Sequence, residues 1–171
     1  MTTQQREMNS EERARVMMII WFAMILGVVV FAIVAAVLGK NQQPQEDMLL
    51  TLVGMGMAAF MFVVSLIVPN IVANQQFRAT LQQGRYETDE EKKQAMNDLE
   101  SVFMTRFLIG MALLEGAAFL NLVFYMVEGQ ILAYIPVAIL VALMIALKPS
   151  KAKLEAWIRN QMENYNLENQ N

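Results

Sequence analysis

The chain has 171 residues, 56% of them hydrophobic and 17% charged, with a net charge of −3 and a mean hydropathy of +0.36. It contains no histidine and no cysteine, which excludes His and Cys nucleophiles, zinc sites built on those ligands, disulfides, and haem held by either side chain. The acidic balance gives no electrostatic footprint for nucleic acid.

The apolar residues are gathered into four blocks, 16–38, 48–73, 102–127 and 130–147, separated by polar stretches. A helix rises about 1.5 Å per residue and the hydrocarbon core is about 30 Å thick, so roughly 20 residues cross it. Each block reaches that length, the fourth only just. Backbone groups in lipid must be satisfied within their own segment, which predicts helices. The alternating polarity of a membrane barrel is absent. The reading is a single all-α integral membrane domain over 1–171: a four-helix transmembrane bundle with a cytoplasmic helical hairpin extension and a C-terminal amphipathic helix.

In chain order, Ser10 is a plausible cap for a helix running into the first span. That span is too long for the apolar core of a secretory signal and reads as an uncleaved anchor. Pro69, late in the second span, lacks a backbone donor and is expected to bend it. Residues 74–101 then read as two helices that overrun the membrane. Phe77 and Leu81 share a face, Gly84 supplies a terminator, and Thr88 to Glu91 form a Thr-x-x-Glu capping box. Ala95, Met96, Leu99, Val102 and Phe103 carry helical spacing into the third span.

Pro136 is expected to bend the fourth span. Lys148-Pro149-Ser150 should end it, with Ser150 capping a tail helix over 150–165. Leu154, Trp157, Ile158, Met162 and Tyr165 form the tail's apolar stripe, opposite Lys151, Lys153, Arg159 and Glu163. Such a helix either lies along the cytoplasmic interface or packs against the hairpin. Small residues at four-residue spacing, Ala23/Gly27, Gly54/Ala58, Ala112/Gly116 and Ala138/Ala142/Ala146, are expected at close helix contacts.

Apart from Lys40 and Arg106, every lysine and arginine lies in a tail or in the central connection. Positive residues stay inside, so both termini and the hairpin are expected in the cytoplasm, the protein being a multi-pass component of a bacterial inner membrane.

Arg106 lies near the cytoplasmic end of the third span, where its long side chain can reach headgroups. Glu115 lies near the middle of that span. A charge there costs at least about 2.5–3.5 kcal/mol, and the cheaper state is the protonated acid. Arg106 is nine residues away, on the opposite face of the helix and about 13.5 Å along it, too far for a pair. The carboxyl must face the bundle or another protomer. It either bonds to a backbone carbonyl, Ser65 or Asn121, or exchanges protons.

The run Arg106 to Leu120, with Ile109-Gly110-Met111-Ala112-Leu113-Leu114-Glu115-Gly116-Ala117-Ala118 at its centre, resembles the carboxylate-bearing helix of rotary ATP synthase c-subunits. That resemblance implies a proton-binding role for Glu115. It covers about a tenth of the chain, and the family's glycine-rich partner helix has no counterpart here. Leu114 to Asn121 also resembles a segment of uncharacterised bacterial four-span membrane proteins, which implies no function.

No phosphate-binding loop, metal-ligand cluster or nucleophile with a base is present, so neither catalysis nor a cofactor is expected. The methionines, among them Met55, Met57 and Met61, read as packing residues. Two functions fit: a non-enzymatic structural or partner-binding membrane component, and a proton-coupled carrier or ion-conducting subunit using Glu115. The partners expected are the lipid bilayer, a second copy of the chain and a cytoplasmic protein.

Overall fold

The computed structural model describes residues 10–40, 48–83 and 89–168, and is helical almost throughout. Among these described residues five α-helices follow one another: α1 (Ser10–Gly39), α2 (Leu49–Gln83), α3 (Asp89–Glu128), α4 (Tyr134–Ala146) and α5 (Lys151–Glu168). One turn of 3-10 helix, Ile131–Ala133, leads into α4. α1, α2 and α3 are each long and apolar enough to cross a membrane. The bent pair Ile131–Ala146 and Lys151–Gln161 raises the number of candidate spans to as many as four. α4 with its 3-10 turn rises about 25 Å, a little less than the hydrocarbon thickness.

Large apolar side chains lie on the outside of the helices as well as in their core. Ile19, Phe22, Ile33 and Val37 of α1, Leu52 and Phe60 of α2 and Ile139 of α4 are exposed, while Thr51, Asn121 and Glu128 are buried. A water-soluble surface rarely carries a continuous apolar patch of this extent, whereas a lipid-facing one must.

α3 is the axis of the molecule. It packs against α1, α2, α4 and α5, whereas α1 and α2 do not meet among the described residues. Met111, Leu114, Ala118 and Leu122 of α3 are buried against Val28 and Ala35 of α1 and Leu140 and Met144 of α4. Trp21 Nε1 donates to the Met144 carbonyl (2.7 Å) and Tyr134 Oη to the Ala32 carbonyl (2.8 Å), tying α1 to α4. Gly129, with φ 69°, makes the tight turn after α3, its N–H bonded to the Tyr125 carbonyl at 2.8 Å. An L side chain rarely adopts that conformation, which explains glycine at this position.

α2 and α3 run on past their apolar blocks, to Gln83 and from Asp89. Gly84 and Thr88 lie outside the described residues, as do the side chains of Leu81 and Ala95. At this end a second apolar cluster joins Met17, Phe77, Leu99, Phe103, Leu154 and Ile158. The Trp157 ring lies 6.2 Å from that of Phe77 and 5.6 Å from that of Phe103. The buried stripe of α5 therefore meets α1, α2 and α3, and of the two placements open to the tail the contacts are those of packing on the helices. Met162 and Tyr165 lie outside the described side chains. Arg13 holds the cluster's edge: its Nε is 3.5 Å from Glu100 Oε2 and its Nη1 donates to the Asn97 carbonyl at 2.6 Å.

The break before α5 follows its sequence. α4 and α5 meet at 79° across Leu147–Ser150. Ser150 Oγ accepts from the Lys153 N–H (3.3 Å) and its carbonyl from the Leu154 N–H (3.1 Å), as a cap should.

Pro136 falls in the first turn of α4, directly after the Ile131–Ala133 turn of 3-10 helix. The small-residue pairs divide. Gly54 and Ala58 do meet α3, and Gly27 faces Glu115. Ala112, Gly116, Ala138 and Ala142 instead point outward, because the buried faces of α3 and α4 are taken by larger residues, and Ala146, also exposed, borders a cavity rather than a helix contact.

Candidate functional site

Glu115 is half-buried on the α3 face that meets α1. Its Oε1 lies 3.5 Å from where a Cβ on Gly27 would stand, and the Phe119 ring lies 3.9 Å from the same point. Glycine at position 27 thus lets the carboxyl lie against the α1 backbone. Phe119 meets Phe31 edge to face, at 5.2 Å between centroids, and walls one side of the seam.

The expected partners are engaged elsewhere. Ser65 Oγ donates to the Phe62 carbonyl of its own helix at 2.7 Å. Asn121 Nδ2 donates to the Ala117 carbonyl (2.8 Å) and, across the helix interface, to the Gly54 carbonyl (3.1 Å). Six residues separate Asn121 from Glu115, so the two point about 120° apart around α3. The Glu115 carboxyl makes no hydrogen bond with the described residues and keeps some exposure, whereas Asn121 Oδ1 is fully buried without a partner.

Arg106 lies on the opposite face of α3 and forms no ion pair with Glu115. Its Nε donates to Asn70 Oδ1 of α2 at 2.8 Å, and its guanidinium carbon stands 5.9 Å from the centre of the Trp157 ring. Asn70 is itself oriented through a bond from its Nδ2 to the Leu66 carbonyl. The chain thus supplies two neighbours to a residue expected to reach for headgroups alone.

Sequence reasoning missed a third polar group. Glu128, the last residue of α3, is buried, and its carboxylate accepts from the Leu50 N–H (2.6 Å), the Thr51 N–H (2.7 Å) and Thr51 Oγ1 (2.6 Å). Leu50 and Thr51 stand second and third in α2, where a capping side chain would normally bond. The residue preceding α2 is Met48, which has no capping oxygen. Glu128 therefore caps α2 from another helix. It is poorly placed at the C-terminus of α3 and well placed at the N-terminus of α2, where the helix dipole favours negative charge. The combination of an uncapped helix start and a terminal glutamate was the available signal.

A cavity of about 520 Å³ opens between α2, α3 and α4, lined mainly by apolar side chains together with Arg106, Asn70 and Lys153. No group of three or more Asp or Glu that could hold a metal occurs among the described residues. The side chains of Asp89, Glu90 and Glu91 lie outside them.

No family model, curated protein or solved structure matches the chain. The polar groups on α3 lie among helices long and apolar enough to cross a membrane. A carboxyl lies at one seam, a carboxylate clamp closes one end, and an arginine marks the other.

Proposed function

We propose that the chain is a multi-pass component of a bacterial inner membrane, with both termini and the 74–101 extension in the cytoplasm. It acts as a non-enzymatic assembling protein rather than a catalyst. The distribution of lysine and arginine supports the orientation. The observation that carries the assembling role is the Glu115 carboxyl, half-buried at the α1–α3 seam and without a hydrogen-bond partner among the described residues. A polar group at that depth must find a partner, and lipid tails offer none. A second copy of the chain can supply it, since α1 and α2 leave one face of α3 uncovered between them. The polar end, where α5 covers α2 and α3, is then the surface offered to a cytoplasmic protein.

The test is cross-linking within the membrane. Glu115→Gln, which keeps a donor and an acceptor, should assemble like the parent. Glu115→Ala should weaken association by about 0.6–2 kcal/mol, roughly three- to thirty-fold. Parental assembly of the alanine variant contradicts the proposal. If instead the glutamine variant assembles normally and loses a proton-linked flux that the parent shows, Glu115 serves a carrier, as the c-subunit resemblance implies.

A further inference from the structure

The cavity between α2, α3 and α4 is unlike a packing defect, because its chemistry changes along its length. Leu114, Leu143 and Met111 belong to its lining, as do the cations Arg106 and Lys153. Leu114 is eight residues from Arg106 on the same helix, so the apolar floor lies about 12 Å further along the membrane normal than the cation. Arg106 uses Nε on Asn70, and its charge has no carboxylate partner among the described residues. Among the described residues Lys153 Nζ donates to carbonyls, Lys148 at 3.0 Å and Ala146 at 3.4 Å, and meets no carboxylate. Trp157, which stacks near Arg106, adds the kind of ring that settles at headgroup level.

We propose that this cavity holds one anionic phospholipid of the cytoplasmic leaflet. Its phosphate sits between Arg106 and Lys153, and one acyl chain lies along the apolar wall toward Leu114. Charge complementarity identifies the occupant. Two cations at the rim of an apolar slot match an anionic head joined to a hydrocarbon chain, whereas α4 of a second copy would bring no anion to them. The proposal rests on the membrane reading given above and extends it from the bilayer as solvent to one bound lipid.

The test uses the full chain, purified in a neutral detergent and exchanged into nanodiscs of phosphatidylcholine and phosphatidylglycerol with identical acyl chains. Lipid retained after delipidation is counted by native mass spectrometry. Retention of one phosphatidylglycerol per chain is expected, with roughly thirty-fold preference over phosphatidylcholine for two basic contacts. Arg106→Gln/Lys153→Gln should abolish that preference while the helical spectrum is unchanged. Ala146→Phe, which keeps both cations and fills the slot, should lower retention of both lipids. Glycerol 3-phosphate, a headgroup without chains, should not compete at the same concentration. Equal retention of the two lipids, or a charge variant that still prefers phosphatidylglycerol, overturns the proposal. Full retention by the Ala146 variant does so too, and so does competition by glycerol 3-phosphate, which would mean a free-phosphate site. Extraction of the protein from membranes by alkaline carbonate would instead overturn the membrane reading beneath it, so the two failures are separable.

Discussion

Replacing Glu128 with alanine should lower the stability of the folded protein by about 3 kcal/mol, measured as unfolding in mixed detergent micelles. The carboxylate accepts from two backbone N–H groups and one hydroxyl, all within 2.7 Å. A hydrogen bond to a charged group is worth about 1.5–3 kcal/mol net, and a buried donor left alone costs its own desolvation besides. Alanine strands three donors at a helix start that has no side-chain cap of its own. Glu128→Gln keeps one acceptor oxygen and should lose about half as much. Thr51→Val removes only the hydroxyl and should cost about 1 kcal/mol. The order alanine, glutamine, then valine at Thr51 is the signature of a cap supplied by one helix to another. An alanine variant as stable as the parent would mean that the geometry contributes nothing to folding.

Gly54→Val is the second substitution with a large expected effect, a loss of about 2–3 kcal/mol. A Cβ on Gly54 would stand 2.7 Å from both Asn121 Oδ1 and Phe124 Cδ2, closer than real Cβ contacts come. Asn121 is fully buried and held by two carbonyls, one of them that of Gly54 itself, so it cannot swing aside without breaking a bond. Overpacking of this kind costs about 1–3 kcal/mol, and the broken bond adds to it. Gly56, two residues on, has nothing within 4 Å of the same position. Gly56→Val should therefore change stability by less than about 0.5 kcal/mol, which makes it the internal control. Equal losses at the two sites would show that valine in the helix, not the α2–α3 contact, is what matters.

These two positions also show where sequence reasoning succeeds. The apolar blocks and the break at Pro149 are local signals, and α1, α2, α3 and the α4–α5 bend follow them. Gly54 and Ala58 were readable as a close contact because small residues in membrane helices serve that purpose. The same pattern failed for Ala138, Ala142 and Ala146, since spacing gives a face but not its direction. α4 turns its larger residues, Leu140 and Met144, inward. For Glu128 the two halves of the signal were in the sequence, but their meeting was not. Its partners lie 77 and 78 residues away in sequence, and only the folding of α2 against α3 brings an uncapped N-terminus to a C-terminal glutamate. Glu115 was visible from depth alone. What depth could not give was its neighbour, a glycine backbone rather than Ser65 or Asn121. The cavity beside Arg106 was equally out of reach, because it needs three helices and the first turn of α5 to exist.

The central claim is that the long apolar helices cross a bilayer and leave both ends of the chain on the same, cytoplasmic side. The absence of cysteine makes that measurable by labelling single-cysteine variants with a membrane-impermeant thiol reagent in intact cells. Lys40→Cys, Asp98→Cys and Glu163→Cys all place the thiol at exposed positions. The account predicts that Lys40→Cys labels from outside, while Asp98→Cys and Glu163→Cys label only after the membrane is permeabilised. Labelling of Asp98→Cys in intact cells would contradict it.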